Sequence, residues 1–180
     1  MKQHLEIEYK SMLTKADYDL LARSLPFGNA HVQLNEYYDT SDRQLFARES
    51  MCRIRTIGNR HEFTMKTPQP DGVLEHELEL KAQNLNDERL VEYFDDLGIN
   101  VYELERVAFS RTLRKTYDDA YGTWCLDSTS FSNHQDYEIE YELFEANEKA
   151  RPHYVNTLNQ LGIEFKPSAP KYIRALNSLD

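Results

Sequence analysis

"HLEIEYK", residues 4 to 10, sets Leu5, Ile7 and Tyr9 between His4, Glu6, Glu8 and Lys10. Side chains alternate across an extended strand, so the period of two sends the apolar three to one face and Glu6, Glu8 and Lys10 to the other. One face can pack while the other carries charge. In an isolated stretch the charged face would be ordinary solvated surface, because charge alternation is common on exposed strands. Its meaning depends on whether the rest of the chain repeats it.

The same period returns in "VQLNEYYDT" (32 to 40), "SMCRIRTI" (50 to 57), "HEFTMKT" (61 to 67), "VLEHELEL" (73 to 80), "RVAFSRTLRKTY" (106 to 117), "TWCLDSTS" (123 to 130) and "DYEIEYEL" (136 to 143). With the opening stretch this predicts eight strands. Turn residues separate them at Gly58-Asn59, Pro70-Asp71-Gly72, Gly122 and Asn133. Three helices are expected. One starts at a Thr14 cap with Asp17 three residues on and stops at Pro26 and Gly28; one starts at an Asn86 cap and stops at Gly98; one runs from about Ala150 to Leu161. Two short echoes, "LEIEYK" with "YEIEYE" and "DDLGIN" with "NQLGIE", suggest related halves or similar amphipathic elements. The class is α+β, with an antiparallel sheet large enough to curl or close.

A chain of 180 residues suits a single domain spanning 1 to 180. Neither a membrane-spanning apolar run nor a signal-peptide core is present in the sequence, and Cys52 and Cys125 stand far apart without a metal-binding spacing. A cytoplasmic protein is expected. The net charge of −10 argues against binding duplex nucleic acid through a broad basic surface. It does not argue against a polyanion, since cations held by carboxylates reverse the local charge of an acidic site.

The charged faces supply both halves of such a site. Glu138 and Glu140 share a face in the last strand, Asp127 lies opposite Trp124 and Leu126, Arg53 and Arg55 flank Ile54, and Lys66 lies opposite Met65. On the pattern alone, this face could equally line a lumen or meet water. Lys171 and Arg174 by themselves read as a solvated terminal helix, and His4, His61 and His76 as surface residues.

Taken in order, Glu6-x-Glu8-x-Lys10, "YYDT" at 37 to 40, "RIR" at 53 to 55, "FTMK" ending at Lys66, Arg111, "LD" ending at Asp127, "EIE" at 138 to 140 and "PKYIRAL" at 170 to 176 resemble the CYTH superfamily, the triphosphate tunnel metalloenzymes, over nearly the whole chain. The chain looks like a small bacterial stand-alone member. The resemblance implies a closed eight-stranded antiparallel barrel with a charged lumen and helices outside. It implies Glu6, Glu8, Glu138, Glu140 and Asp127 as metal carboxylates for Mg²⁺ or Mn²⁺, with Glu6, Glu8, Lys10 and Glu140 at the reaction centre. It further implies Lys10, Arg53, Arg55, Lys66, Arg111, Lys171 and Arg174 as phosphate-side cations, and leaves open the roles of Glu75, Glu77, Glu142 and Arg114. Met51-Cys52 and Pro170 depart from the common pattern without removing a charge.

The expected activity is metal-dependent hydrolysis of tripolyphosphate or a small organic triphosphate, by a monomer or homodimer. The alternatives are an adenylate cyclase of the same superfamily, a protein that binds polyphosphate or nucleotide without turnover, and a scaffold acting through the helices.

Overall fold

The structure is a computed structural model and describes residues 1 to 179. Its strands are β1 (Lys2–Glu6), β2 (Glu8–Leu13), β3 (His31–Asp39), β4 (Met51–Ile57), β5 (Arg60–Gln69), β6 (Gly72–Leu80), β7 (Glu105–Asp118), β8 (Gly122–Ser130) and β9 (Gln135–Leu143). The helices are α1 (Lys15–Ser24), α2 (Gln44–Ala47), α3 (Glu88–Asp96), α4 (Ala150–Gln160) and α5 (Lys171–Asn177). All nine strands form one curled antiparallel sheet in the order β1-β6-β5-β4-β3-β7-β8-β9-β2.

The expected count of eight is corrected to nine because the opening stretch is divided. β1 pairs with β6, up to Glu6 opposite Val73, while β2 pairs with β9, from Glu8 opposite Glu142. Only Ile7 lies between, and its carbonyl already accepts from Leu143 N–H at 2.8 Å. The two outermost members of the sheet are therefore consecutive pieces of chain.

Helices α1, α3 and α4 cover the apolar face, as alternation requires. Cys52, Ile54, Phe63, Met65, Leu78 and Leu80 of β4 to β6 pack with Leu90 and Phe94 of α3. Trp124, Leu126, Ile139 and Tyr141 of β8 and β9 pack with Tyr18 and Leu21 of α1 and Tyr154 and Leu158 of α4. α5 departs from the expected placement of helices outside: it lies against the inner face, where Tyr172 and Ala175 pack on Tyr37 and Ala108, and Lys171, Tyr172 and Ile173 line the cavity.

Thr14 and Asp17 form the expected capping box of α1, but α3 is capped by Asp87 rather than Asn86. The echo "DLGI" and "QLGI" has a local cause. Gly98 and Gly162 adopt φ of 72° and 69°, and the following Ile99 and Ile163 donate back to Phe94 and Leu158 at 2.9 and 3.0 Å. Both helices end in the same turn, which needs a residue at ease with positive φ and buries the isoleucine beyond it.

Asp119, in the turn after β7, fastens α4 to this scaffold. It accepts from Trp124 Nε1 at 2.8 Å, from the Tyr141 hydroxyl, and from the N–H groups of Tyr121 and Gly122, and it meets His153 Nε2 of α4 at 2.8 Å. Burial pushes this carboxyl up, but the hydrogen bonds from Tyr141 and Trp124 outweigh it and hold it at about 2. A depressed folded pKa contributes stability above the unfolded value of about 3.9, and that stability fades as the pH falls toward 2. Urea unfolding of Asp119→Asn should therefore lose less stability between pH 4 and 2 than the parent. Equal losses would show that this carboxylate does not carry the acid sensitivity.

Candidate functional site

The inner face of the sheet bounds a cavity of about 750 Å³. Its charged residues follow from strand phase. Arg53 and Arg55 pair across to Tyr37 and Asn35 on one side and to Thr64 and Glu62 on the other, so the inward rows are continuous through β3, β4 and β5. Glu6, Glu8 and Lys10 all line the cavity, as do Arg53, Arg55 and Lys66. Glu140 and Lys171 line it too, joined by Glu75, Glu77, Glu142 and Arg114, whose placement the sequence left open.

Arg53 is 8% exposed, and no carboxylate lies within ion-pairing distance of it among the described residues. Its Nε has no hydrogen-bond partner among the described residues. Arg55 donates through Nε to Asn35 Oδ1 at 2.8 Å, a neutral acceptor. Burial, with the repulsion of Arg53 and Arg114, pulls the Arg55 guanidinium down to about 10. This wall has more positive charge than the protein offsets.

The carboxylate wall has the opposite imbalance. Lys66 Nζ meets Glu6 at 3.0 Å and Glu75 at 2.8 Å, so one ammonium serves two acids. Glu75 wins it: burial works against ionisation, but Lys66 holds Glu75 below the usual carboxylate range. Glu6 is pushed up to about 9, chiefly by burial and then by Glu8, against the pull of Lys66. Glu8 rises to about 7 through burial and the nearby Glu140, with Lys10 3.8 Å away. Oxygens of Glu6, Glu8 and Glu142 come within 4.8 Å of one another. This all-oxygen, charge-rich set suits a hard divalent cation such as Mg²⁺ or Mn²⁺.

Asp127, Glu138 and Glu140 form a second acidic group, but the protein's own cations serve it. Arg114 donates to both Asp127 oxygens at 2.7 Å and to Glu140 at 2.9 Å. Lys171, at the start of α5, sets its ammonium 2.7 Å from Asp127, 2.9 Å from Glu138 and 3.4 Å from Glu140. Burial raises the Asp127 and Glu140 carboxyls, yet Arg114 and Lys171 overcome it and hold both low. Arg174 is turned away from the cavity, bonding Asp136 at 2.9 Å and Glu138 at 3.2 Å. Asp127, Glu138 and Arg174 are thus absent from the cavity wall.

Arg111, expected among the phosphate-side cations, is exposed on the outer face opposite Leu34 and Ser130. The register of β7 against β3 shifts once, between Tyr37 and Tyr38, where Val107 is left over. Beyond it Ala108, Ser110, Thr112 and Arg114 are buried, and Arg111 keeps company with Phe109 and Leu113. Arg114 is the β7 arginine that reaches the cavity.

A CYTH domain model matches residues 4 to 173. The chain belongs to the CYTH domain family. YjbK of Bacillus subtilis (strain 168), a CYTH relative named provisionally as a triphosphatase, is 27% identical over 182 residues, covering 97% of this chain and 95% of its own. A Bacillus halodurans structure, described provisionally as an adenylate cyclase, superposes with TM-score 0.83 at 29% identity over 97% of this chain and 98% of the other. The CYTH tunnel fold recurs in a Hippeastrum protein at TM-score 0.79 and 24% identity, over 98% and 97% of the two chains.

Proposed function

We propose that this protein is a metal-dependent triphosphatase acting on tripolyphosphate or a small organic triphosphate, inside a wall closed by the divided first strand. One observation carries the reading. The buried Arg53 and the half-buried Arg55, without a carboxylate partner among the described residues, face the same cavity as an overcrowded carboxylate set, so the site lacks both an anion and a cation. A triphosphate with its divalent metal supplies both.

Arg53 and Arg55 would meet phosphate oxygens with planar arrays of donors, and Lys10 and Lys66 would add point charge along the chain of phosphates. Glu6, Glu8 and Glu142 would hold Mg²⁺ or Mn²⁺, which when bound offsets phosphate charge and lowers the pKa of an attacking water. Glu140 keeps its charge beside them through Arg114 and Lys171. Positioning and electrostatics then do the catalysis, with no Ser-His or Cys-His nucleophile. The name given to YjbK and the dominant triphosphatase activity ascribed to the Hippeastrum protein support hydrolysis over cyclisation. Among the described residues no helix is long and apolar enough to cross a membrane. A cytoplasmic monomer or homodimer fits the reading.

The test is a panel of tripolyphosphate, ATP and thiamine triphosphate with Mg²⁺ or Mn²⁺, resolving orthophosphate from cyclic AMP plus pyrophosphate. Orthophosphate is the expected product, and cyclic AMP as the main product would overturn the assignment. Glu6→Gln keeps the size of the side chain and removes its charge, so the Mn²⁺ concentration for half-maximal turnover should rise by roughly 10- to 100-fold, the range seen for damaged metal shells. An unchanged Mn²⁺ dependence would take Glu6 out of the metal site.

A further inference from the structure

The cavity offers more than a bare triphosphate can use. Its volume of about 750 Å³ lies inside the roughly 300 to 1,000 Å³ that encloses an organic ligand. Besides the charged wall it is lined by Phe46 and Phe144, which are 50% and 59% exposed. Met51 and Ile173 add further apolar lining. Neither ring is buried by the fold, and both line the cavity that Arg53 and Arg55 also line.

The backbone also holds Phe46 in place at a cost. α2 is a four-residue helix between Arg43 at φ 60° and Glu49 at φ 55°, both left-handed without being glycine. Such conformations persist only where the surroundings enforce them. The fully buried Asp39 does so by accepting from Leu45 N–H at 2.9 Å and Phe46 N–H at 3.0 Å. Just past β9, the backbone of Phe144 is held by its N–H to the Tyr121 carbonyl at 3.0 Å, directly after Leu143 bonds Ile7 between Glu6 and Glu8.

We propose that Phe46 and Phe144 grip the flat aromatic part of an organic triphosphate whose phosphates lie against Arg53 and Arg55, and so select such substrates over inorganic tripolyphosphate. This rests on the triphosphatase reading. An aromatic face gains from stacking on a heteroaromatic ring. Inorganic tripolyphosphate presents only phosphoryl oxygens, which the electron-rich ring faces repel.

The experiment measures kcat/KM for ATP, thiamine triphosphate and tripolyphosphate in the parent, Phe46→Ala, Phe144→Ala and the double variant. The parent should prefer an organic substrate, with the ATP and thiamine triphosphate arms showing which aromatic group it takes. The ratio of that substrate to tripolyphosphate should fall about ten-fold or more in the double variant. A parent that prefers tripolyphosphate, or a ratio unchanged by the substitutions, overturns the proposal. Should the alanine variants fail to fold, Phe46→Leu and Phe144→Leu keep apolar bulk without the ring and carry the same comparison. If the parent hydrolyses none of the three, the triphosphatase reading fails, and calorimetry with Ca²⁺ tests the rings alone. Tighter binding of an organic triphosphate than of tripolyphosphate, lost in the double variant, would support them; equal binding would overturn them.

Discussion

Arg53→Ala is expected to bind tripolyphosphate at least about 30-fold more weakly than the parent in calorimetric titration with Ca²⁺. The figure is the lower end of the roughly 2 to 5 kcal/mol lost when one partner of an enclosed charged contact is removed. Arg53 is buried in the cavity wall with no carboxylate among the described residues to share its charge, so a bound phosphate would be its main counter-charge. Arg55→Ala should lose a similar amount and also leaves Asn35 Oδ1 without its donor. Arg111→Ala is the internal comparison. Arg111 is exposed on the outer face, where a lone charge is screened, and its loss should change affinity less than two-fold or so. Equal losses for Arg53 and Arg111 would mean that binding follows overall charge, and the cavity would cease to be the phosphate site.

Asp127→Ala should lower folding stability by roughly 3 to 5 kcal/mol, the range for breaking a buried ion pair from one side. Asp127 is fully buried and receives two bonds from Arg114 and one from Lys171, all at 2.7 Å. Its removal leaves the buried Arg114 and the half-buried Lys171 to share Glu138, Glu140 and Glu142. Urea unfolding measures the effect. A loss under about 1 kcal/mol would place the residue in the class of weak exposed pairs and would leave Asp127 free to serve a metal instead.

Much of this was legible because strand alternation is a rigid rule. Once "RIR" is extended, Arg53 and Arg55 must share a face and Ile54 must take the other, and the same logic holds for Glu138, Ile139 and Glu140. The rule falters where one extra residue resets the phase. Val107 does this in β7, although the alternation beyond it, with Phe109, Arg111 and Leu113 on one side and Ser110, Thr112 and Arg114 on the other, already assigns Arg114 to the polar row. Glu142 belongs to the row of Glu138 and Glu140, but its approach to Glu6 and Glu8 depends on pairing β2 with β9, strands at opposite ends of the sequence. Neither was the pairing of Lys171 with Asp127 and Glu138 legible, since it depends on how α5 docks. Phe46 escaped because α2 is a four-residue helix with no periodic signal, held by the side chain of Asp39.

The division of the first strand at Ile7 also sets an order of assembly. β1 can pair once residue 80 has been made, but β2 must wait for β9, where Glu8 meets Glu142. At roughly 5 to 20 residues per second the ribosome takes several seconds to cover that interval. Throughout it β2 stays an unmatched edge, the kind that pairs with other chains. Glu8 and Lys10 place charge along that strand while it waits. The residues that crowd the finished cavity thus also keep the growing chain apart from its neighbours.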